Sequence, residues 1–425
     1  MGMIISSDMV RLRYRGIYQS YINLCLGVGG CFGLVFGGYL CDTVGWRGAF
    51  YVQLPILVVF LVLTAIVTPA KLGLMDDGPS LLPWSSPSSS SSGKSKMSVL
   101  QLLVKIDLVG SVMLVLGLTA LVVGLNLGGN VFGWSHPLVI ASLLFFVAMA
   151  AIFVPYERTV PRAVMPIKLL TRDPHASIIL GNVFASLSIN TMLFNTPLYF
   201  QAVKLATPAE SGLKLVSSTL ALTVSSVAAG FILTWTQNPK PIILLGGVCL
   251  LAGGVTATSM DAGTPSFVAM ASIALSSLGQ GFSYPTLMIS ILASSSREDL
   301  AISSTTLGLW RNLGSLLGVA ISSLIYQNAL VPALDAYITG PEKMEIIRLV
   351  RKSVHAIAEL DPVHRQQGMF IAFQRREKVI QSTDRALKAV EAFAVALRFT
   401  FLSAAVWPVF MLIFHGRMRL PRFSD

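Results

Sequence analysis

Apolar residues run along this chain in blocks far longer than a strand needs, separated by short polar segments. Charge-free runs extend from Gly16 to Cys41, Gly48 to Ala70, Leu108 to Tyr156, Pro174 to Val203, Leu215 to Pro239, Pro241 to Met260 and Ala262 to Ser296. Two more apolar segments follow, one broken only by Arg311 and one from Phe399 to Gly416. A helix that crosses a bilayer takes roughly 20 mostly apolar residues. The longest run divides at Leu127 to Pro137, LGGNVFGWSHP, whose Gly, Asn and Pro favour a turn. The pattern therefore predicts ten helices, at 19–41, 50–69, 107–127, 137–155, 176–200, 211–235, 241–259, 265–292, 303–327 and 394–415. A stretch such as Leu54 to Val67, LPILVVFLVLTAIV, is apolar on every side, unlike the alternating strands of a membrane β-barrel. The fold class predicted is an all-α integral membrane bundle of about ten transmembrane helices.

Composition agrees: 54% of residues are hydrophobic and 12% charged, where a soluble domain carries roughly a quarter charged residues. The formal charge is +11. If the side holding Arg11, Arg13 and Arg15 is cytosolic, ten alternating spans place sixteen Lys and Arg there. The short loops opposite hold only Arg47, Lys204 and Lys214. The basic excess then reflects membrane orientation and needs no nucleic-acid partner. Cys25, Cys31, Cys41 and Cys249 show no metal-binding spacing and are expected as small core residues.

Residues 83–98, PWSSPSSSSSGKSKMS, cannot bury themselves and predict a flexible cytosolic linker. Its Gly93-Lys94-Ser95 lacks the preceding glycine of a phosphate loop. The segment 341–393 alternates charges with Met344, Ile346, Val350 and Val390, as amphipathic surface helices do. The expected division is a two-span unit at 1–70, the linker at 71–104 and a helix pair at 105–156. Five spans at 157–330, an amphipathic non-cytosolic loop at 331–393 and a last span with basic tail at 394–425 complete it.

The chain has no HExxH, GxSxG, Walker A or GxGxxG pattern, and the spans hold almost no carboxylate or histidine, so the reading excludes an enzyme. Asn190 and Asn195 in the fifth span, and Gln280 and Tyr284 in the eighth, are polar groups in apolar helices. They either line a polar pathway or hydrogen-bond neighbouring helices, at about 0.6–2 kcal/mol each. Arg311 has two readings: a functional or paired intramembrane charge, or a guanidinium snorkelling to the nearby cytosolic face. Gly29, Gly33 and Gly37, with Gly38 beside them, form a stripe that would let a second helix come close. The opening stretch, with Asp8, Arg11, Arg15 and Gly16, reads as a cytosolic loop or as a solvated basic tail.

SDMVRLRYRGIYQSY, Ser7 to Tyr21, resembles the cytosolic junction after the fourth helix of fourteen-span transporters in the drug:proton antiporter branch of the major facilitator superfamily. Gly27 to Ile56 is similar to that branch's glycine-rich antiporter helix and its following turn, carried by Gly45, Trp46, Arg47, Phe50 and Pro55. That motif reads GP-x-x-GG in the family; this chain has Leu34 after Gly33, where the proline would stand. The segments GLNLGGN (Gly124 to Asn130), WSHP (Trp134 to Pro137), PLYFQAV (Pro197 to Val203) and Leu309 to Asn328 resemble the fungal group that includes vacuolar basic amino-acid transporters.

That resemblance implies two six-helix halves around a midplane site with alternating access. The first two spans would belong to the N-terminal half, the next two would be the branch's extra pair, and the last six would form the C-terminal half. The first four family helices, with their coupling carboxylates, have no counterpart in this sequence. The implied activity is proton-coupled movement of basic amino acids across a vacuolar membrane. The alternatives are multidrug or toxin efflux at a plasma membrane, and a transport-dead remnant that binds another membrane subunit. The implied partners are lipid and a small-molecule substrate, with no cofactor beyond a coupling proton. The oligomeric state stays open.

Overall fold

Ten helices make up nearly all of the described chain. The structure, a computed structural model, describes residues 15–67, 107–128, 132–160, 170–171, 173–295, 300–337 and 376–418. In chain order the helices are α1 (Arg15–Thr43), α2 (Gly45–Val67), α3 (Leu108–Leu127), α4 (Pro137–Thr159) and α5 (His175–Ala202), then α6 (Pro208–Thr236), α7 (Pro239–Thr258), α8 (Ser266–Ser294), α9 (Leu300–Tyr337) and α10 (Arg376–Arg417). Local chemistry sets several starts. Asp107 caps α3 by accepting from the Gly110 N–H at 2.8 Å. Thr207 and Glu210 form a capping box at α6. Pro137 and Pro239 stand at first helical positions, where a missing N–H costs nothing.

Seven of the ten, α3 to α7, α9 and α10, contain a segment long and apolar enough to cross a membrane. The apolar stretches described in α1 and α2 are shorter, Ser20–Gly33 and Phe50–Ile66. α8 differs from the rest for a physical reason. It bears no charge, but Ser272, Ser276, Ser277, Ser283 and Ser290 lower its hydropathy and are all buried against protein. Ser272, Ser283 and Ser290 donate to carbonyls one turn earlier in α8, so the hydroxyls need no water.

α5 to α10 pack together as one bundle, α5 lying against α9 and α10, and α8 against α6 and α7. Small residues permit the crossings, as expected where lipid supplies no hydrophobic drive between helices. Gly246 of α7 and Gly279 of α8 sit backbone to backbone. α3 and α4 pair antiparallel: Gly117 lies against Met149, Gly124 against Leu143, and the Tyr156 hydroxyl donates to Asp107 at 2.9 Å. Through α3 this hairpin touches α9. α1 packs along α6 and α2 touches α1, while almost every described side chain of α2 is exposed.

Three expectations change. α9 continues to Tyr337, into the segment expected as a loop from 331, while the start of α10 at Arg376 falls where amphipathic helix was expected; residues 338–375 lie outside the described residues, as do those at 71–104. Gly29, Gly33 and Gly37 have no neighbour within 4 Å of where a Cβ would stand, so their stripe meets no second helix among the described residues. The contact with α6 instead runs along another face of α1, where Gly27 meets Thr223 and Gly30 meets Thr219. Cys25 is exposed on α1 rather than buried in a core.

Candidate functional site

The polar residues of α5, α8 and α9 meet halfway along the bundle. α5 and α9 cross closely at Gly314 and Gly318: a Cβ at either glycine would lie 2.7 Å from a backbone carbonyl, that of Val183 or of Leu187. This crossing brings Ser315 of α9 beside Asn190 of α5, whose amide donates to Ser315 Oγ at 2.9 Å and to the Ser186 carbonyl at 2.9 Å. Ser315 Oγ in turn donates to the Arg311 carbonyl at 3.1 Å. From α8, the Tyr284 hydroxyl is 2.9 Å from Ser186 Oγ, and Gln280 reaches toward the same hydroxyl from one turn earlier. The Arg311 guanidinium lies over the Tyr284 ring, 5.2 Å from its centroid, a cation–π contact of about 0.5–2 kcal/mol. Pro285, next to Tyr284, removes the N–H that would bond the Gly281 carbonyl and interrupts the α8 ladder beside the cluster.

Asn190, Gln280, Tyr284, Arg311 and Ser315 are all partly accessible, whereas Ser186 is fully buried. The cluster therefore forms a half-open polar surface and not a sealed interhelical bond. Apolar packing adjoins it on both sides. Ile178, Ile179, Leu307 and Met411 belong to one buried cluster, and Tyr199, Phe200, Tyr326 and Phe393 to another.

Four of the five expected pathway residues, Asn190, Gln280, Tyr284 and Arg311, are thus brought together. Asn195 is not among them. It is 1% exposed and donates to the Thr191 carbonyl of its own helix at 2.7 Å, so it faces the packed interior. Arg311 stands eleven residues beyond Leu300, about 16 Å along the helix at 1.5 Å per residue, and its guanidinium lies over the Tyr284 ring. Ser186 and Ser315 escaped the sequence reading because serine is common in these helices. Their positions, one turn before Asn190 and one turn after Arg311, are where the helical repeat puts same-face neighbours. Of the expected cytosolic loop residues, Arg15 and Gly16 open α1, and Asp8 and Arg11 lie outside the described residues. Gly38 lies within α1 one residue beyond Gly37.

Chemically, the cluster combines one permanent cation with neutral amides and hydroxyls. It carries no acid: α5 and α8 contain no Asp or Glu, and the acid of α9, Asp335, is 24 residues beyond Arg311. Among the described residues no group of three or more His, Cys, Asp or Glu is placed to hold a metal.

Residues 1–155 match the sequence profile of the Major Facilitator Superfamily. The chain is 28% identical over 365 residues to the multidrug resistance protein fnx1 of Schizosaccharomyces pombe, covering 85% of this chain and 65% of that protein. It is 28% identical over 343 residues to the vacuolar basic amino acid transporter 2 of Saccharomyces cerevisiae, covering 80% of this chain and 69% of the relative. It is also 28% identical over 341 residues to the vacuolar membrane amino acid uptake transporter fnx2 of Schizosaccharomyces pombe, covering 77% and 53%. The chain thus spans between about half and just over two thirds of the length of these relatives.

Proposed function

We propose that the chain is a secondary transporter of the Major Facilitator Superfamily, whose profile residues 1–155 match, moving basic amino acids, coupled to protons, across a vacuolar membrane. The midplane cluster of Ser186, Asn190, Gln280, Tyr284, Arg311 and Ser315 is the part of its substrate pathway that α5, α8 and α9 contribute. The observation that carries this reading is the half-open polar surface where an interior of apolar side chains would pack better. Polar groups in a membrane bundle are costly unless paired or used, and here they converge from three helices at one level.

Multidrug efflux, the activity in the name of fnx1, is the second reading. A pathway for apolar drugs calls for a predominantly apolar lining; the amides and guanidinium of this cluster favour a small polar solute.

The test is uptake of radiolabelled lysine into energised fungal vacuolar vesicles carrying the chain. Accumulation above chain-free vesicles, abolished by collapsing the proton gradient, is expected. Asn190→Ala should slow uptake per folded molecule roughly tenfold, the upper end of the range for a neutral hydrogen bond. Asn195→Ala, which alters a bond inside α5, should leave uptake per folded molecule unchanged. Vesicles with the chain that accumulate no more lysine than vesicles without it would overturn the proposal.

A further inference from the structure

Resting on that reading, we infer that Arg311 is the group that receives the carboxylate of the transported solute. The α5, α8 and α9 cluster therefore selects for a free carboxylate and not for a cationic side chain.

Arg311 is a guanidinium about 16 Å along α9, inside the segment Ile302–Ala336 that is long and apolar enough to cross a membrane. A charge so placed normally has a partner of opposite sign. Among the described residues the Arg311 guanidinium forms no ion pair and donates no hydrogen bond, and it lies over the face of Tyr284. The flanking helices cannot supply an acid, since α5 and α8 have none and Asp335 is roughly 36 Å further along α9 at 1.5 Å per residue.

The ring of Tyr284 steadies the cation from one side and leaves its planar fork of five donors unfilled. That fork matches a carboxylate bidentately. Around it stand Asn190, Ser315 and Gln280, neutral groups that can complete the hydrogen bonding of a bound carboxylate but cannot neutralise an ammonium or a second guanidinium. A basic amino acid bound here would place its carboxylate at Arg311, and its side-chain cation would lie away from these three helices. Arg311 is only partly buried, which keeps the donors reachable by a solute.

The experiment is competition against radiolabelled lysine uptake in vesicles carrying the full chain, using unlabelled lysine, lysinamide, in which the carboxylate is capped, and cadaverine, in which it is absent. In the unsubstituted protein, lysinamide and cadaverine are expected to compete about thirtyfold more weakly than lysine, the loss typical when a buried charged partner is removed. Arg311→Gln should weaken lysine by a similar factor and erase the difference between lysine and lysinamide, and Arg311→Lys should restore part of it.

Lysinamide competing as well as lysine in the unsubstituted protein would overturn the carboxylate assignment while leaving amino-acid transport standing. So would an Arg311→Gln variant that keeps the full preference for lysine, or one that loses lysine and lysinamide transport equally, since Arg311 would then pair with a carboxylate of the protein. Absence of lysine uptake in the unsubstituted protein would remove both the transport reading and this inference. If Arg311→Gln does not accumulate, the competition series in the unsubstituted protein decides alone.

Discussion

Tyr284→Ala is expected to lower uptake per folded molecule about a hundredfold, roughly 3 kcal/mol at the barrier. Two contacts disappear together. The ring under Arg311 contributes about 0.5–2 kcal/mol, and the hydroxyl's bond with Ser186 about 1 kcal/mol. The larger consequence is positional, because without the ring Arg311 has no contact to hold it at membrane depth and its flexible stem can turn toward the nearer membrane face. Tyr284→Phe keeps the ring and is expected to cost only about fivefold, the value of the hydroxyl. Initial uptake rates normalised to the amount of folded protein check both. Equal loss in the two variants would mean that the hydroxyl, not the ring, is what matters.

Gly318→Leu should have the largest effect on folding. A Cβ there would lie 2.7 Å from the Leu187 carbonyl and 3.1 Å from its Cα, so the obstacle is backbone and cannot rotate away. α5 and α9 would have to part, and with them would go the hydrogen bond of 3.2 Å from Thr191 to the Gly318 carbonyl and the alignment of Asn190 with Ser315. Overpacking of this kind costs about 1–3 kcal/mol even when some relief is available. A loss at the upper end of that range should reduce the amount of folded protein several-fold. Gly29→Leu is the matched control, since that position has no neighbour within 4 Å. Thermal unfolding in detergent, followed by loss of the monodisperse species, should show a sharp fall for Gly318→Leu and none for Gly29→Leu. The same fall in both would indicate that α1 is packed along its glycine stripe after all.

Hydrophobic runs carry most of the fold in a membrane chain, and here the ten predicted helices correspond to the ten among the described residues, as with the run before Val203, which becomes α5. The ends are less legible. Apolar run length does not register that α10 begins at Arg376, because its first turns are amphipathic and depend on what they pack against. Orientation about the helix axis is harder still. Asn190 and Asn195 look alike in sequence, yet five residues is a turn and a half of helix, so one faces the cluster and the other the packed interior. For the same reason the stripe at Gly29, Gly33 and Gly37 could not say which helix it would meet, and the approach to α6 runs through Gly27 and Gly30. Ser186 and Ser315 become meaningful only when the crossing at Gly314 and Gly318 brings them to Asn190 and Tyr284.

Substrate protection of a cysteine placed in the cluster tests most directly that solute occupies this midplane position. Ser315→Cys would be introduced into a chain whose Cys25, Cys31, Cys41 and Cys249 are alanine and which still takes up lysine. Its rate of modification by a membrane-permeant maleimide would be measured with and without lysine. Leu316→Cys, one residue away and half exposed on the outer face, serves as the control. Slower labelling at position 315 in the presence of lysine, with no change at 316, is expected. Equal labelling of Ser315→Cys with and without lysine, in a protein that still transports it, would place the solute elsewhere and contradict the assignment of this cluster.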